Sequence, residues 1–224
     1  MEDASGRLEQ PDLIAVAVAD GVSDSRCPHS ADGAKLAVAT ALDLLQQTNG
    51  GTAEPRTFCT DLVEGWHKAI RLRADEIGGE FHPQMFATTL IFAARTLGRF
   101  VIGKIGDGDV FATVGVPARI VRPYPPDHCA GPITLDHPDA PDAMGLVQLT
   151  DDSEIRFVLI ATDGYSGPFA SDDWQAEVAG DLLTIIESGQ SSSIGTSLHS
   201  WIAESARFGG DDASLGLIVR EPSA

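Results

Sequence analysis

Apolar runs and helical-period segments follow one another in blocks along the chain. Leu13–Ala19 (LIAVAVA) contains no polar position and is closed by Asp20-Gly21, a pattern that predicts a buried strand. From Ala31 to Leu45 apolar residues return at helical spacing, through Leu36, Ala37, Ala41, Leu44 and Leu45, with Asp32 in the first turn of the predicted helix. A second long helix is predicted over Thr57–Ile77. There Phe58, Leu62, Trp66, Ala69 and Ile70 share one face, and Gly78-Gly79 ends it.

The period then shortens. Thr88–Ala94 (TTLIFAA), Phe100–Ile105 and Val110–Val116 read as three successive strands, and the short Gly-containing turns between them predict an antiparallel meander. Arg122–Pro141 carries six prolines and predicts an irregular excursion over the surface. Ile155–Ala161 (IRFVLIA) predicts another buried strand, closed by Asp163-Gly164. Helices are predicted over Asp172–Ala179, Asp181–Glu187 and Ile194–Ala206, and a last strand over Ser214–Val219. Because strands and helices come in blocks, an α+β layered domain is expected rather than a doubly wound parallel sheet.

Composition narrows the function classes. The chain of 224 residues is long enough for a sizeable core without staples. Its formal charge of −18 repels nucleic acid and anionic membrane, so neither is an expected partner. The longest apolar run is too short to span a bilayer, and the acidic Met1-Glu2-Asp3 opening does not read as a signal peptide. Cys27, Cys59 and Cys129 are odd in number and widely spaced, which speaks against a disulfide framework and for a cytoplasmic location.

The candidate chemistry lies in acids at strand ends. Asp20 ends LIAVAVA, Asp107 follows FVIGKIG, Asp163 follows FVLIAT, and Asp211-Asp212 precede the last strand. Asp-Gly pairs are common turn formers, and each alone would mean no more than that. Several carboxylates in one cleft raise each other's pKa, and a hard divalent cation removes that conflict. All-oxygen donors suit Mg²⁺ or Mn²⁺, and two such ions can set up in-line attack on phosphorus.

The ordered set of motifs resembles the metal-dependent protein phosphatases of the 2C type, in particular their short bacterial branch. The matching segments are Glu2-Asp3-Ala4, VAVADGVS (Val16–Ser23), FATTLIF (Phe86–Phe92), IGDGDVFA (Ile105–Ala112), LIATDGYSG (Leu159–Gly167) and DDASLGLIV (Asp211–Val219). The resemblance implies a four-layer α-β-β-α sandwich with two mainly antiparallel sheets, spanning 1–224 as one domain without the family's usual strand ahead of the Glu-Asp pair. It implies hydrolysis of phosphoserine or phosphothreonine in phosphoprotein substrates by a metal-activated water, with two Mn²⁺ or Mg²⁺ ions and room for a third. Asp20 resembles the carboxylate that bridges both metals, with the Gly21 carbonyl as a further ligand. Asp163 and Asp211 resemble the remaining ligands, Asp107 the acid tied to the third metal, and Asp3 the acid that orients the attacking water. Gly108 stands where the family usually has Ser, and Asp212 where it usually has Asn. Pro168–Gln190 is expected to form a flap that helps set specificity, and the acidity of the chain points to basic or neutral sequence around the phosphate.

Other readings compete. The same scaffold can serve as a non-catalytic binding or sensing module. Asp107-Gly108-Asp109-Val110 also resembles the nucleophile motif of haloacid-dehalogenase-type phosphatases, which would require a helix after Asp107 and a parallel sheet. Cys27-x-His29 with His128-Cys129 matches no common zinc spacing. Ser166 reads as a turn serine, Trp66 as helix core, Asp24, Asp172 and Asp173 as solvated charges or caps, and Thr88 and Thr89 as support for the site rather than its chemistry.

Overall fold

The computed structural model describes residues 2–50, 54–78, 80–96, 98–115, 117–124, 133–150, 155–171, 173–190 and 193–220. His128, Cys129 and Asp172 lie outside them. Two antiparallel sheets stack face to face, with helices on both outer sides. Sheet one runs in the order β1 (Ala4–Gln10), β2 (Leu13–Ala19), β3 (Leu90–Thr96), β4 (Arg99–Ile105), β7 (Gly145–Thr150). Sheet two runs β6 (Arg119–Val121), β5 (Asp109–Val114), β8 (Ile155–Ala161), β9 (Leu215–Val219). Helices α1 (Ser30–Gln47) and α2 (Pro55–Ile77) cover sheet one, and α5 (Trp174–Glu187) and α6 (Ile194–Gly209) cover sheet two. The short α3 (Ala140–Ala143) and α4 (Asp163–Ser166) are the remaining α-helices among the described residues.

The unbroken apolar run of β2 follows from this layering. Side chains alternate between the two faces of a strand, and here both faces are dry. Leu13, Ala15, Ala17 and Ala19 pack under α1 and α2, while Val16 and Val18 meet the second sheet. β8 divides in the same way: Phe157, Leu159 and Ala161 face α5 and α6, and Val158 and Ile160 face sheet one. Trp66 is fully buried between α2 and α1, its indole N–H donating to the Gly33 carbonyl at 3.0 Å. Truncating a side chain of this size in a core typically costs about 3–5 kcal/mol.

Several expectations are corrected. The meander breaks after its second strand: β3 pairs with β4, but β5 belongs to the other sheet and pairs with β6 and β8. Gly106 and Gly108, at φ 83° and 99°, carry the chain across between sheets, a backbone state that L side chains resist. The two helices expected around Gly180 are one, α5, because Trp174, Val178, Leu182 and Ile186 bury a continuous stripe against sheet two. That packing outweighs the helix cost of one glycine, about 1 kcal/mol. Most of the expected flap at Pro168–Gln190 is therefore this core-packed helix. In the Pro-rich stretch, Leu135 and Ala140 are fully buried against the α1–α2 side, so its described part is anchored in the core at these two residues while Arg122, Pro138 and Asp139 stay exposed. Strands β1 and β7, not expected from sequence, form the two edges of sheet one.

Candidate metal centre

Asp3, Asp20, Asp107, Asp163 and Asp211 fall at one end of the two sheets. Asp20 follows β2, and Asp3 stands just before β1. Because Ala4 pairs with Ala19, the antiparallel register sets Asp3 beside Asp20. Asp107 sits in the crossover between β4 and β5, Asp163 follows β8, and Asp211 precedes β9.

The backbone at Asp20 is held from three directions. Its N–H donates to Thr89 Oγ1 at 3.0 Å, while its carbonyl accepts from the Thr89 N–H at 2.9 Å and from Thr88 Oγ1 at 2.8 Å. Both threonines are buried and support the site through Asp20. Gly21 is buried, and its N–H donates to the Glu2 carbonyl at 3.2 Å, tying the Glu-Asp segment to the Asp-Gly turn. Ser23 Oγ donates to the Glu2 carboxylate, and the Glu2 N–H donates to Asp212 Oδ2 at 2.6 Å.

Two glycines make the approach of the other acids feasible. A Cβ on Gly108 would come 2.6 Å from the Ala161 carbonyl, so a side chain does not fit here. A Cβ on Gly164 would run into the Asp212 carbonyl. Bare backbone at both points lets the crossover, the end of β8 and the start of β9 close on one another.

Carboxylate oxygens of Asp20, Asp107 and Asp163 lie within 4.8 Å of one another. Asp211 is outside this set of three, but its charge acts on Asp163. Burial pushes the Asp20 carboxyl up to about 8, reinforced by the adjacent Asp3 carboxyl and by the charges of Asp163 and Asp107. Asp163 is also raised, first by burial and then by Asp107 and Asp211. Asp3 is raised by burial against the opposing effect of its Thr162 hydrogen bond. Among the described residues, Asp3 Oδ1 is a buried oxygen without a protein hydrogen-bond partner. A hard, all-oxygen donor set whose members suppress each other's ionisation, together with that orphaned oxygen, fits a divalent cation such as Mg²⁺ or Mn²⁺.

Two residues near the acids carried no sequence signal. Thr162, 2% exposed, donates from Oγ1 to Asp3 Oδ2 at 2.7 Å and accepts from the Ser214 N–H at 2.9 Å. Lys104 Nζ donates to the Gly108 carbonyl at 2.9 Å and so braces the crossover that bears Asp107. Neither threonines before an acid nor lysines in a strand are distinctive in a single sequence. Asp24 pairs instead with Arg26 at 2.7 Å, which holds its carboxyl at about 2. Ser166 Oγ turns back on the Asp163 carbonyl at 3.3 Å, as a turn serine does.

The sandwich and its acidic end define the class as a two-sheet α+β fold with clustered carboxylates at one end of the sheets. The model of the family described as protein phosphatase 2C matches residues 1–203, and the chain belongs to that family. No curated protein sequence matches it. Among solved structures, the Mycobacterium tuberculosis serine/threonine phosphatase PstP/Ppp is 17% identical with a TM-score of 0.60, over 99% of this chain and 92% of that one. The catalytic domain of PstP in complex with two manganese ions is 16% identical with a TM-score of 0.56, over 96% and 89%. RsbX in complex with magnesium is 16% identical with a TM-score of 0.54, over 96% and 85%. At these identities the likeness is one of fold. The haloacid-dehalogenase-type reading is overturned: Asp107 is followed by the antiparallel strand β5, not by a helix on a parallel sheet. The family match does not favour a non-catalytic module.

Proposed function

We propose that the chain hydrolyses phosphoserine and phosphothreonine in proteins, with two Mn²⁺ or Mg²⁺ ions, and a weaker third, at the acidic end of the sandwich. The observation that carries this reading is the convergence of Asp20, Asp107 and Asp163 from three separate elements. Asp20 and Asp163, with the Gly21 carbonyl and Asp211, would hold the principal ions, and Asp107 the third. When bound, the ions would supply charge for the phosphoryl oxygens and lower the pKa of water. Asp3 takes part through its carboxylate: Thr162 occupies Oδ2, which leaves Oδ1 to orient the attacking water and accept its proton. The net charge of −18 favours substrates with basic or neutral sequence around the phosphate.

We read the chain as one domain over 1–224, in the bacterial cytoplasm. The free thiols of Cys27 and Cys59 suit a reducing compartment, and no described helix is long and apolar enough to cross a membrane. The test of the function is hydrolysis of a phosphothreonine peptide with and without Mn²⁺. Activity should require the metal and fall at least about a hundredfold in Asp20→Asn. Full activity in Asp20→Asn would overturn the assignment.

A further inference from the structure

A cavity of about 310 Å³ opens between α5, α6 and the segment that follows β8. Its walls are aromatic, with Tyr165, Phe169, Trp201 and Phe208, and both charged residues that line it, Asp181 and Glu204, are acids. That volume is at the lower end of small-molecule pockets, enough for one ring and a short chain. Phe208 is 67% exposed, although it belongs to a helix whose other large apolar residues are at least half-buried. The Arg207 guanidinium lies 4.6 Å from the centre of the Phe208 ring, so this ring already accepts a cation.

The position of the cavity gives it a second property. Its walls come from the two segments that carry site acids. Tyr165, Pro168 and Phe169 follow closely on Asp163, while Ser205 and Phe208 lead into Asp211. The two segments are in contact beside the cavity. A Cβ on Gly209 would meet Pro168 Cγ at 3.0 Å, and Gly164 lies directly against the Asp212 carbonyl. A molecule held there touches both of the segments that lead to those acids.

We propose that this cavity binds a small apolar organic cation, such as an arylalkyl ammonium, and that its occupancy is coupled to divalent-cation binding at the acid cluster. The aromatic faces attract an ammonium group and bury the apolar body, and the carboxylates of Asp181 and Glu204 select its charge. An anionic analogue is repelled by both carboxylates. The coupling rests on the proposed metal centre, whereas the binding does not. Linkage makes the coupling reciprocal, so the metal must alter affinity for the amine by the same factor that the amine alters affinity for the metal.

The test is calorimetric titration of the metal-free full chain with phenethylammonium, 2-phenylethanol and phenylacetate. The ammonium should bind saturably, at least about fivefold more tightly than the alcohol, and phenylacetate should not bind measurably. In Asp181→Asn with Glu204→Gln, both at exposed positions, the ammonium should lose most of its advantage over the alcohol. Phe208→Ala, also exposed, should weaken the ammonium more than the alcohol, because both lose apolar contact and only the ammonium loses a cation–π face. Saturating ammonium should change Mn²⁺ affinity about fivefold. Absence of saturable binding, equal binding of phenylacetate, or indifference to the Asp181 and Glu204 substitutions would overturn the site. Unchanged Mn²⁺ affinity would overturn the coupling. If Mn²⁺ fails to bind with or without amine while charge-selective amine binding persists, the metal reading and the coupling fall and the cavity assignment stands.

Discussion

Thr162 Oγ1 reaches Asp3 Oδ2 at 2.7 Å, joining the end of β8 in one sheet to the start of β1 in the other. The same hydroxyl accepts the Ser214 N–H at 2.9 Å, so its proton is committed to Asp3. Thr162→Val keeps the shape and removes both interactions. It should cost about 1–3 kcal/mol, because a buried carboxylate and a backbone N–H each lose a partner. Thr162→Ser should restore most of the loss. Urea denaturation of the metal-free variants, with phosphopeptide turnover against pH, checks this. A Val variant with wild-type stability and an unshifted pH profile would show that Thr162 does not position Asp3.

The acid cluster predicts how the metal-free chain responds to pH. Asp20 moves from an ordinary 3.8 to about 8 on folding, and Asp3 and Asp163 shift in the same direction. Between those limits the folded chain holds more protons than the unfolded one, so stability falls as pH rises. The contribution is fully present below about pH 4 and lost by about pH 8. Urea midpoints in chelator should decline across that window, and Asp20→Asn should flatten the decline. A midpoint that rises with pH, or an Asp20→Asn slope equal to wild type, would contradict the crowding described here.

Gly164→Ala tests the closure of the site by steric means alone. The added methyl meets the Asp212 carbonyl, and relieving it must move the start of β9 away from Asp163. Overpacking of this kind typically costs about 1–3 kcal/mol. Mn²⁺ affinity should drop at least about tenfold while the far-ultraviolet dichroism stays that of the folded chain. Wild-type affinity in a folded Ala variant would mean that Asp211 does not contribute.

Lys104→Met should loosen the crossover that bears Asp107 without touching the core, since the Lys104 ammonium holds the Gly108 carbonyl at 2.9 Å. Amide hydrogen exchange at 106–109 should speed up, and Mn²⁺ affinity should fall by a smaller factor than in Asp107→Asn. Unchanged exchange would remove the bracing role.

How much of this was legible in the sequence depends on which forces are local. LIAVAVA and IRFVLIA could be read as strands because both faces are dry, leaving Arg156 as the one polar position in the two runs. β1 (ASGRLEQ) and β7 (GLVQLT) escaped because they are sheet edges with half-open faces, where the apolar signal is thin. The crossover after β4 could not be seen, since whether β5 pairs with β4 or with β8 is decided by contacts distant in sequence. Gly180 misled locally, and burial of Val178 and Leu182 overrode it. The acids stood out as Asp-Gly pairs after apolar strands, but that Asp20, Asp107 and Asp163 meet is a property of the fold. Thr162 and Lys104 act through single hydrogen bonds to distant segments, which leave no pattern along the chain.

The most direct test is an anomalous-difference map from crystals grown in manganese. Peaks touching the Asp20 carboxylate, shared with Asp163 and flanked by Asp107 and Asp211, are the expected result. A map without manganese at Asp20, at metal concentrations that support turnover, would contradict the account.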